Sequence, residues 1–325
     1  MVVYDRYGRP VRGARISLNS SNYCNFNCVF CHREGIHGND RELMTPSEIG
    51  RIVRVLNRFG VQYVKLTGGE PLLRYDILDI LDEIKSAGIK EISMTTNGTR
   101  LAELADDLSR HGLNRVNISI HSMDRWRYFL ITGVDALDYT LKAVEAAVDA
   151  GLKPVKLNMV VLRGVNENDL CKLIDYSREL GGGDTNVIQL IELLNISDEF
   201  YKAYHVNLDN LESKVKNMAV EVRYRRLHNR PVYILPDNVW IEFVKPVDNQ
   251  AFCQGNDRIR ITYDGKFKPC LMRSDNHVDF LTAMRRGASD DELARLYLKA
   301  VLLREPFYKE GEEFCGKTLP DICII

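Results

Sequence analysis

The chain has 325 residues, 45% of them hydrophobic, and its formal net charge at pH 7 is −1. That balance gives no global basic field, which argues against nucleic acid or an anionic membrane as a partner. The apolar stretches are of strand or helix length and are interrupted by charges, so none predicts a membrane span. Residues 1–10 include three charged side chains and no apolar signal core, so we expect a cytoplasmic protein.

From Ala14 onward, short strand-like runs alternate with helical patterns. The predicted strands are 14–18, 63–67, 91–95, 115–120, 155–161 and 186–192. The predicted helices between them are 46–59, 77–87, 101–110, 137–150 and 168–180. Such alternation is typical of parallel strands with helices on the outer face. We therefore predict an α/β fold whose centre is a partial barrel of about six parallel strands, not the closed eight-stranded form.

The alternation ends near Asn195, and the remaining elements are mixed. We predict a helix at 208–216, strands at 220–224, 232–235 and 239–243, and helices at 278–286 and 290–303. Asp264-Gly265 lies between strand-like runs 258–263 and 266–270, which indicates a tight hairpin. We therefore expect two domains, the partial barrel at 1–230 and a C-terminal α+β subdomain at 231–325.

Polar residues recur at alternate positions of the predicted strands. Because alternate strand residues share a face, the first strand presents Arg15, Ser17 and Asn19 together. The same lane continues on later strands with Lys65, Thr67, Asn117, Ser119, His121, Lys156 and Asn158. An exposed face is the alternative, but helices are expected to cover that face. We therefore predict a polar lumen that holds a polar ligand. Cys171, in a helical stretch, is expected to be a small buried apolar residue.

Three cysteines, Cys24, Cys28 and Cys31, have the spacing CxxxCxxC directly after the first predicted strand. Three thiolates can hold three corners of a four-iron cubane and leave one iron open, unlike the four-cysteine runs of ferredoxins. A structural zinc loop is the alternative. Zinc normally takes four ligands, and His32 is awkwardly placed to be the fourth.

The motif resembles that of the radical S-adenosylmethionine (SAM) superfamily, with the aromatic Phe30 before the third cysteine. Gly68-Gly69-Glu70-Pro71, after the second predicted strand, resembles the superfamily's GGEP segment, where glycines admit a ligand close to the backbone. The resemblance implies a [4Fe–4S] cluster with SAM on its open iron. It also implies that an electron from the cluster cleaves SAM to a 5′-deoxyadenosyl radical.

A second constellation lies between Cys253 and Cys270 and includes Arg258 and Arg260. It resembles the C-terminal motif of the GTP 3′,8-cyclase family, and the likeness runs from the start of the chain to about Pro306. This resemblance implies GTP as substrate and the first step of molybdenum cofactor biosynthesis. It also implies a second [4Fe–4S] cluster, a downstream cyclic pyranopterin phosphate synthase, an electron donor protein and a homodimer.

The same resemblance implies roles for individual residues. The metal ligands would be Cys24, Cys28, Cys31, Cys253 and Cys270. The SAM contacts would be Phe30, Gly69, Ser119 and Leu194. The GTP contacts would be Arg15, Lys65, Thr96, Lys156, Arg258 and Arg260. Lys65 replaces a family arginine and keeps the charge without the bidentate fork.

Three departures from the family pattern stand out. Asn256 occupies the place of the middle C-terminal cysteine, and Gln189 occupies the place of an arginine. The chain also ends without the family's double-glycine tail. Cys315 or Cys323 could complete the second metal site, Asn256 could ligate through its carbonyl oxygen, or the second cluster could be altered or absent. A different radical enzyme, such as a peptide-modifying one, and a non-catalytic iron–sulfur or zinc protein that binds nucleotide are the alternative functions.

Overall fold

The computed structural model describes residues 1–36 and 43–308. Its strands are β1 Gly13–Ser17, β2 Tyr63–Thr67, β3 Glu91–Thr96, β4 Arg115–Ser119, β5 Val155–Val160, β6 Asn186–Ile191, β7 Glu221–Tyr224, β8 Pro231–Ile234, β9 Trp240–Val244, β10 Arg258–Ile261, β11 Lys266–Lys268 and β12 Val278–Asp279. Its helices are α1 Pro46–Arg58, α2 Ile77–Ser86, α3 Leu101–Arg110, α4 Arg125–Thr132, α5 Leu137–Asp149, α6 Leu170–Glu179, α7 Asp198–Tyr204, α8 Asp209–Met218, α9 Gln250–Gln254, α10 Leu281–Arg285 and α11 Asp290–Leu302.

The strands form one sheet in the order β12-β11-β10-β1-β2-β3-β4-β5-β6-β9-β8-β7. The predicted parallel strands β1 to β6 are confirmed and lie side by side in chain order. The C-terminal region adds a parallel strand at each end of this run, because β10 pairs with β1 and β9 pairs with β6. The α/β class and the mostly parallel sheet are thus confirmed. The division of the chain at residue 230 stays a prediction.

The two faces of the parallel strands differ in polarity. One face is apolar and fully buried beneath the helices, with Ile16, Leu66, Met94, Ile118, Leu157 and Leu190. The opposite face carries the predicted polar lane, and the strand register aligns it: Arg15 lies beside Lys65, Asn117 beside Lys156, and Asn158 beside Gln189. The helices cover the apolar face, so the polar face lines the lumen.

The segment between β7 and β8 connects the two ends of the parallel run. The backbone N–H of His228 donates to the carbonyl oxygen of Gly255, just before β10, over 3.1 Å. The His228 ring also stacks on Phe252 at 3.7 Å between centroids. These contacts connect the segment before β8 with the chain before β10, on the other side of the polar face.

Local sequence signals explain several element boundaries. The Thr45 side chain accepts from the Glu48 N–H, and the Glu48 carboxylate accepts from the Thr45 N–H, a capping box that starts α1. The predicted hairpin is confirmed, since β10 and β11 are antiparallel and Gly265 takes the positive φ of +73° that the turn needs.

Other elements differ from the predictions. The helix predicted at 278–286 is wrong at its start, because residues 278–279 pair with β11 and α10 begins only at Leu281. Helix α4 was not predicted, since exposed Trp126, Phe129 and Leu130 blur its apolar stripe. Cys171 is exposed on α6, which contradicts its expected burial. None of the helices in the described ranges is long and apolar enough to cross a membrane.

Candidate active site

The cysteine loop follows β1 and covers the C-terminal end of the parallel strands. Cys24 and Cys28 are half-buried and Cys31 is exposed, and all three are free thiols. Burial, with a smaller effect from Cys31 and Glu70, raises the pKa of Cys24 to about 11. Burial and the other two cysteines raise the pKa of Cys28 in the same way. A bound cation would reverse these shifts, since thiolates bind metal.

These three thiols are close enough to influence one another's ionisation, which fits a shared cluster. Within residues 1–36 and 43–308, no three His, Cys, Asp or Glu side chains are arranged to hold a single metal ion. Each thiolate of a four-iron cluster binds a different iron, and three such ligands leave one iron open.

The glycine pair after β2 packs against the cysteine loop. A Cβ on Gly69 would lie 2.2 Å from the carbonyl oxygen of Tyr23, and one on Gly68 would lie 2.7 Å from that of Asn19. The side chain of Glu70 is buried and accepts from the Asn97 N–H at 2.8 Å and the Leu72 N–H at 3.0 Å. Neither glycine therefore leaves room for a side chain, and the hydrogen bonds that Glu70 accepts hold this segment in place.

The other predicted SAM contacts lie around the same end of the barrel. The Phe30 ring packs against the His121 ring at 4.5 Å between centroids. Burial lowers the pKa of His121 to about 3, so the ring is neutral at physiological pH. Ser119 ends β4 beside Asn158, and Leu194 follows β6. The structure thus brings Phe30 and Ser119 to the mouth that the cysteine loop covers.

A row of basic side chains crosses the lumen. The register places Arg15 between Lys65 of β2 and Arg260 of β10. Arg260 donates to Glu34 at 2.6 Å, and Arg15 donates to the same carboxylate. Thr67 donates to it as well, at 3.0 Å. Three of the predicted substrate contacts therefore lie together, with Glu34 as their common acidic neighbour.

The electrostatics of this row favour an anionic ligand. Burial, together with Arg15, lowers the pKa of Arg260 to about 10. Burial, then Arg15 and Arg258, lowers the pKa of Lys65 well below its usual value. Burial opposes the ionisation of Glu34, but Arg15 and Arg260 outweigh it and hold the pKa of Glu34 far below its usual range. One carboxylate thus faces several partly desolvated cations.

A second charged group lies on β5 and β9. The Lys156 ammonium contacts the fully buried Glu242 carboxylate and donates to Gln189 Oε1 at 3.2 Å. Arg225 forms an ion pair with Glu242 at 3.1 Å, and Arg230 reaches it at 3.9 Å. Glu242 is therefore shared by three cations, and the positive charge on this side of the lumen exceeds the negative.

The structure does not bring Thr96 to the basic row. The Thr96 hydroxyl donates to Glu70 Oε1 at 2.7 Å and accepts from the Gly98 N–H, so it supports the glycine segment instead. The preceding residue, Thr95, lies beside Asn117 on the lumen face. Thr95 Oγ1 and Asn117 Oδ1 are buried without a hydrogen-bond partner in the described part of the chain, which suits a polar ligand there.

The second pair of cysteines lies at the other end of the barrel. Burial, with a contribution from nearby Cys253, raises the pKa of Cys270. Asn256 Oδ1 accepts from the Arg258 N–H at 3.1 Å, and the Asn256 carbonyl oxygen accepts from Arg304 at 2.8 Å. Metal ligation by the Asn256 side chain would cost the first of these bonds. Cys315 and Cys323 lie outside the described residues.

Several residues of this site carried no recognised signal in the sequence. Glu34 lies three positions after the last motif cysteine, and Glu242 occupies an otherwise apolar strand. Arg225 and Arg230 belong to the basic run 223–230, which predicted nothing beyond a strand end. That run was the one available signal, because four arginines within eight residues are unusual between two short strands.

Comparisons with known proteins agree with this geometry. Residues 18–177 match the family described as Radical SAM superfamily, and residues 186–310 match Molybdenum Cofactor Synthesis C. The chain is 45% identical to the probable GTP 3′,8-cyclase of Thermococcus kodakarensis over 95% of this chain and all of that one. It is 44% identical to the probable GTP 3′,8-cyclase of Thermoplasma volcanium, over 96% of this chain and 95% of that one.

Among solved structures, the chain resembles that of Streptococcus suis SuiB bound to precursor peptide SuiA. The TM-score is 0.64 at 17% identity, with 93% of this chain and 67% of that one covered. At this identity the likeness shows a shared fold alone.

Proposed function

Since the chain belongs to the GTP 3′,8-cyclase family of radical SAM enzymes, we propose that it converts GTP to 3′,8-cyclo-7,8-dihydro-GTP, the first step of molybdenum cofactor biosynthesis. The observation that carries the proposal is the basic lumen between two sets of cysteines. Arg15, Lys65 and Arg260 lie in one row, and Lys156 lies across the lumen. A triphosphate carries the negative charge that would neutralise these cations.

The chain's own residues would divide the work as follows. Cys24, Cys28 and Cys31 would hold the [4Fe–4S] cluster, which, when bound, supplies the electron that cleaves SAM. The backbone of Gly69 would receive the methionine part of SAM. The basic row would orient the nucleotide so that its ribose C3′ hydrogen faces the SAM site. Loss of that hydrogen atom to 5′-deoxyadenosine would allow the C3′–C8 bond to form within the nucleotide, and one further electron, from the electron donor protein, and one proton would complete the dihydro product.

The finer assignments belong to the same proposal. We place a second [4Fe–4S] cluster on Cys253 and Cys270, SAM chemistry in residues 1–230, and the auxiliary cluster in residues 231–325. Phe30, Ser119 and Leu194 would contact SAM, while Arg258 would contact GTP. We also propose a cytoplasmic lyase, an electron donor protein, a homodimer, and transfer of the product to cyclic pyranopterin phosphate synthase.

The test is turnover by anaerobically reconstituted enzyme with SAM, dithionite and GTP. Chromatography would follow GTP loss and 5′-deoxyadenosine formation together. We expect both in the wild type and neither in Cys28→Ala. Arg260→Gln should lower GTP conversion at least about tenfold, the effect of one charge-assisted hydrogen bond, while SAM cleavage continues. Arg223→Gln is the matched control, because the Arg223 side chain is 53% exposed and pairs with exposed Glu221.

Two outcomes would redirect the assignment. Cleavage of SAM with GTP unchanged would favour a different radical enzyme, such as a peptide-modifying one. Absence of SAM cleavage under strong reductant would favour a non-catalytic iron–sulfur protein that binds nucleotide.

A further inference from the structure

The loop that carries Cys253 is held by buried arginines from both ends of the chain. The Arg9 guanidinium donates to the carbonyl oxygen of Cys253 at 3.0 Å. The Arg304 guanidinium donates to the carbonyl oxygen of Asn256 at 2.8 Å. Two carbonyl groups of residues 253–257 are therefore fixed by side chains that are remote from this loop in the sequence.

The two arginines share one carboxylate. Asp5 Oδ2 accepts from Arg9 Nε at 2.8 Å and lies 3.3 Å from Arg304 Nη1. The side chains of Asp5 and Arg304 are fully buried, and that of Arg9 is 4% exposed. Asp257, the next carboxylate near Arg304, forms its ion pair with Arg226 at 3.4 Å. Two buried guanidiniums thus have one fully buried carboxylate between them, which leaves an excess of positive charge.

Unused donors accompany this excess charge. Arg9 Nη2 and Arg304 Nε are buried without a hydrogen-bond partner among residues 1–36 and 43–308. Buried donors are normally paired, and a buried cation is stabilised by a nearby anion. A four-iron cluster bound through thiolates carries net negative charge. The charge and the free donors beside the Cys253 loop therefore fit the second [4Fe–4S] cluster.

Asn256 takes part in the same arrangement. Its side-chain oxygen accepts from the Arg258 N–H at 3.1 Å, and its carbonyl oxygen accepts from Arg304. At the position where the family has a cysteine, the loop is therefore held by hydrogen bonds within the protein. Arg304 reaches the loop at this position, and Arg9 reaches it at Cys253.

We propose that Arg9 and Arg304 are positioning residues for the C-terminal cluster, which hold the Cys253 loop and supply positive charge that raises the reduction potential of the cluster. The inference rests on the second cluster of the proposed function. Reduction adds an electron to a cluster, so a nearby positive charge stabilises the reduced form. Loss of one arginine should therefore lower the potential, and loss of the Asp5 charge should raise it.

The test uses the full-length chain with Cys24, Cys28 and Cys31 replaced by Ala, so that only the second cluster remains. After anaerobic reconstitution this background protein should hold about four irons per chain. A redox titration followed by electron paramagnetic resonance would give the potential. Arg9→Gln should shift it to a lower value, and Asp5→Asn should shift it to a higher value. Arg9→Lys keeps the charge and should restore most of the original potential.

A second variant and a control complete the design. Arg304→Gln should shift the potential in the same direction as Arg9→Gln. Each of these two variants leaves Asp5 with one guanidinium, so neither leaves its carboxylate buried and unpaired. Arg58→Gln is the matched control, because the ion pair of Arg58 with Asp291 is exposed on both sides, and it should leave the potential unchanged.

Opposite shifts in Arg9→Gln and Asp5→Asn would support the inference, because a loop that is merely loosened would move both potentials in the same direction. Shifts of the same sign, or no shift in either variant, would overturn it. A background protein without iron would also overturn it, while the turnover test of the cyclase proposal would be unaffected. Opposite shifts in a protein whose wild type leaves GTP unchanged would instead overturn the proposed function and leave this inference standing.

Discussion

Glu34→Gln tests whether the arginines of the basic row bind the phosphates of GTP in place of the Glu34 carboxylate. The Glu34 carboxylate binds Arg15 and Arg260 and accepts from Thr67. Glutamine keeps the shape and one acceptor oxygen but removes the charge. Without nucleotide, the substitution therefore leaves two guanidiniums facing each other without their counter-ion.

The expected cost follows from the burial of this group. Removing one partner of a fully buried ion pair costs about 3–5 kcal/mol of folding free energy. The side chains of Arg15 and Arg260 keep 23% and 22% of their exposure, which screens part of that cost. We expect about 2–4 kcal/mol in the nucleotide-free holoenzyme.

Saturating GTP should remove most of this deficit, because its phosphates supply the missing negative charge. By linkage, the difference between the two deficits equals a gain in affinity. If the deficit falls by about 1.4 kcal/mol or more, Glu34→Gln binds GTP at least about tenfold more tightly than the wild type.

Urea unfolding with and without GTP, and calorimetric titration of GTP, measure the two quantities. Glu221→Gln is the matched control, since its pair with Arg223 is exposed and its loss should leave stability nearly unchanged in either state. A deficit of the same size with and without GTP would refute the reasoning, because Glu34 and the nucleotide would then not share these arginines.

Three further results are expected. Gly69→Ala should lower stability by about 1–3 kcal/mol and reduce the iron retained on reconstitution, because its methyl group would lie 2.2 Å from the Tyr23 carbonyl oxygen. An unchanged iron content would contradict this close packing. Acidification from pH 7.5 to 5.5 should lower the free energy of unfolding of the wild type more than that of His121→Asn. Urea unfolding should show a difference of about 1.4 kcal/mol between the two losses. The native pKa of His121 is about 3, so only the unfolded state takes up its proton below pH 6.5; equal losses would contradict this. Cys253→Ala should lower iron from about eight to about four atoms per chain, and a value of about four in the wild type would exclude a second four-iron cluster.

The sequence predicted the parts of the fold that depend on local patterns. Strand and helix periodicity located β1 to β6 because each β–α unit repeats the same alternation of apolar runs and caps. The residues that face the lumen were predictable from alternation alone, because polar side chains recur at every second position of each strand. Arg15 on β1, Lys65 on β2 and Lys156 on β5 are examples. The cysteine spacing indicated the metal centre because its three ligands are close in the chain.

The rest depends on contacts between distant segments. Lys156 and Glu242 are 86 residues apart, and Arg260 and Glu34 are 226 apart, so no sequence pattern could pair them. The placement of β9 beside β6 and of β10 beside β1 likewise pairs segments that are far apart in the chain. Thr96 illustrates the same limit, because its hydroxyl is taken by Glu70 rather than directed to the basic row.

The most direct test of the proposed function is the fate of the ribose hydrogen. Reconstituted enzyme would be given GTP carrying deuterium at C3′, with SAM and dithionite, and the 5′-deoxyadenosine would be analysed by mass spectrometry. We expect deuterium to move into 5′-deoxyadenosine as GTP is converted. Unlabelled 5′-deoxyadenosine, formed while SAM is consumed, would contradict it, because the radical would then take its hydrogen from another molecule.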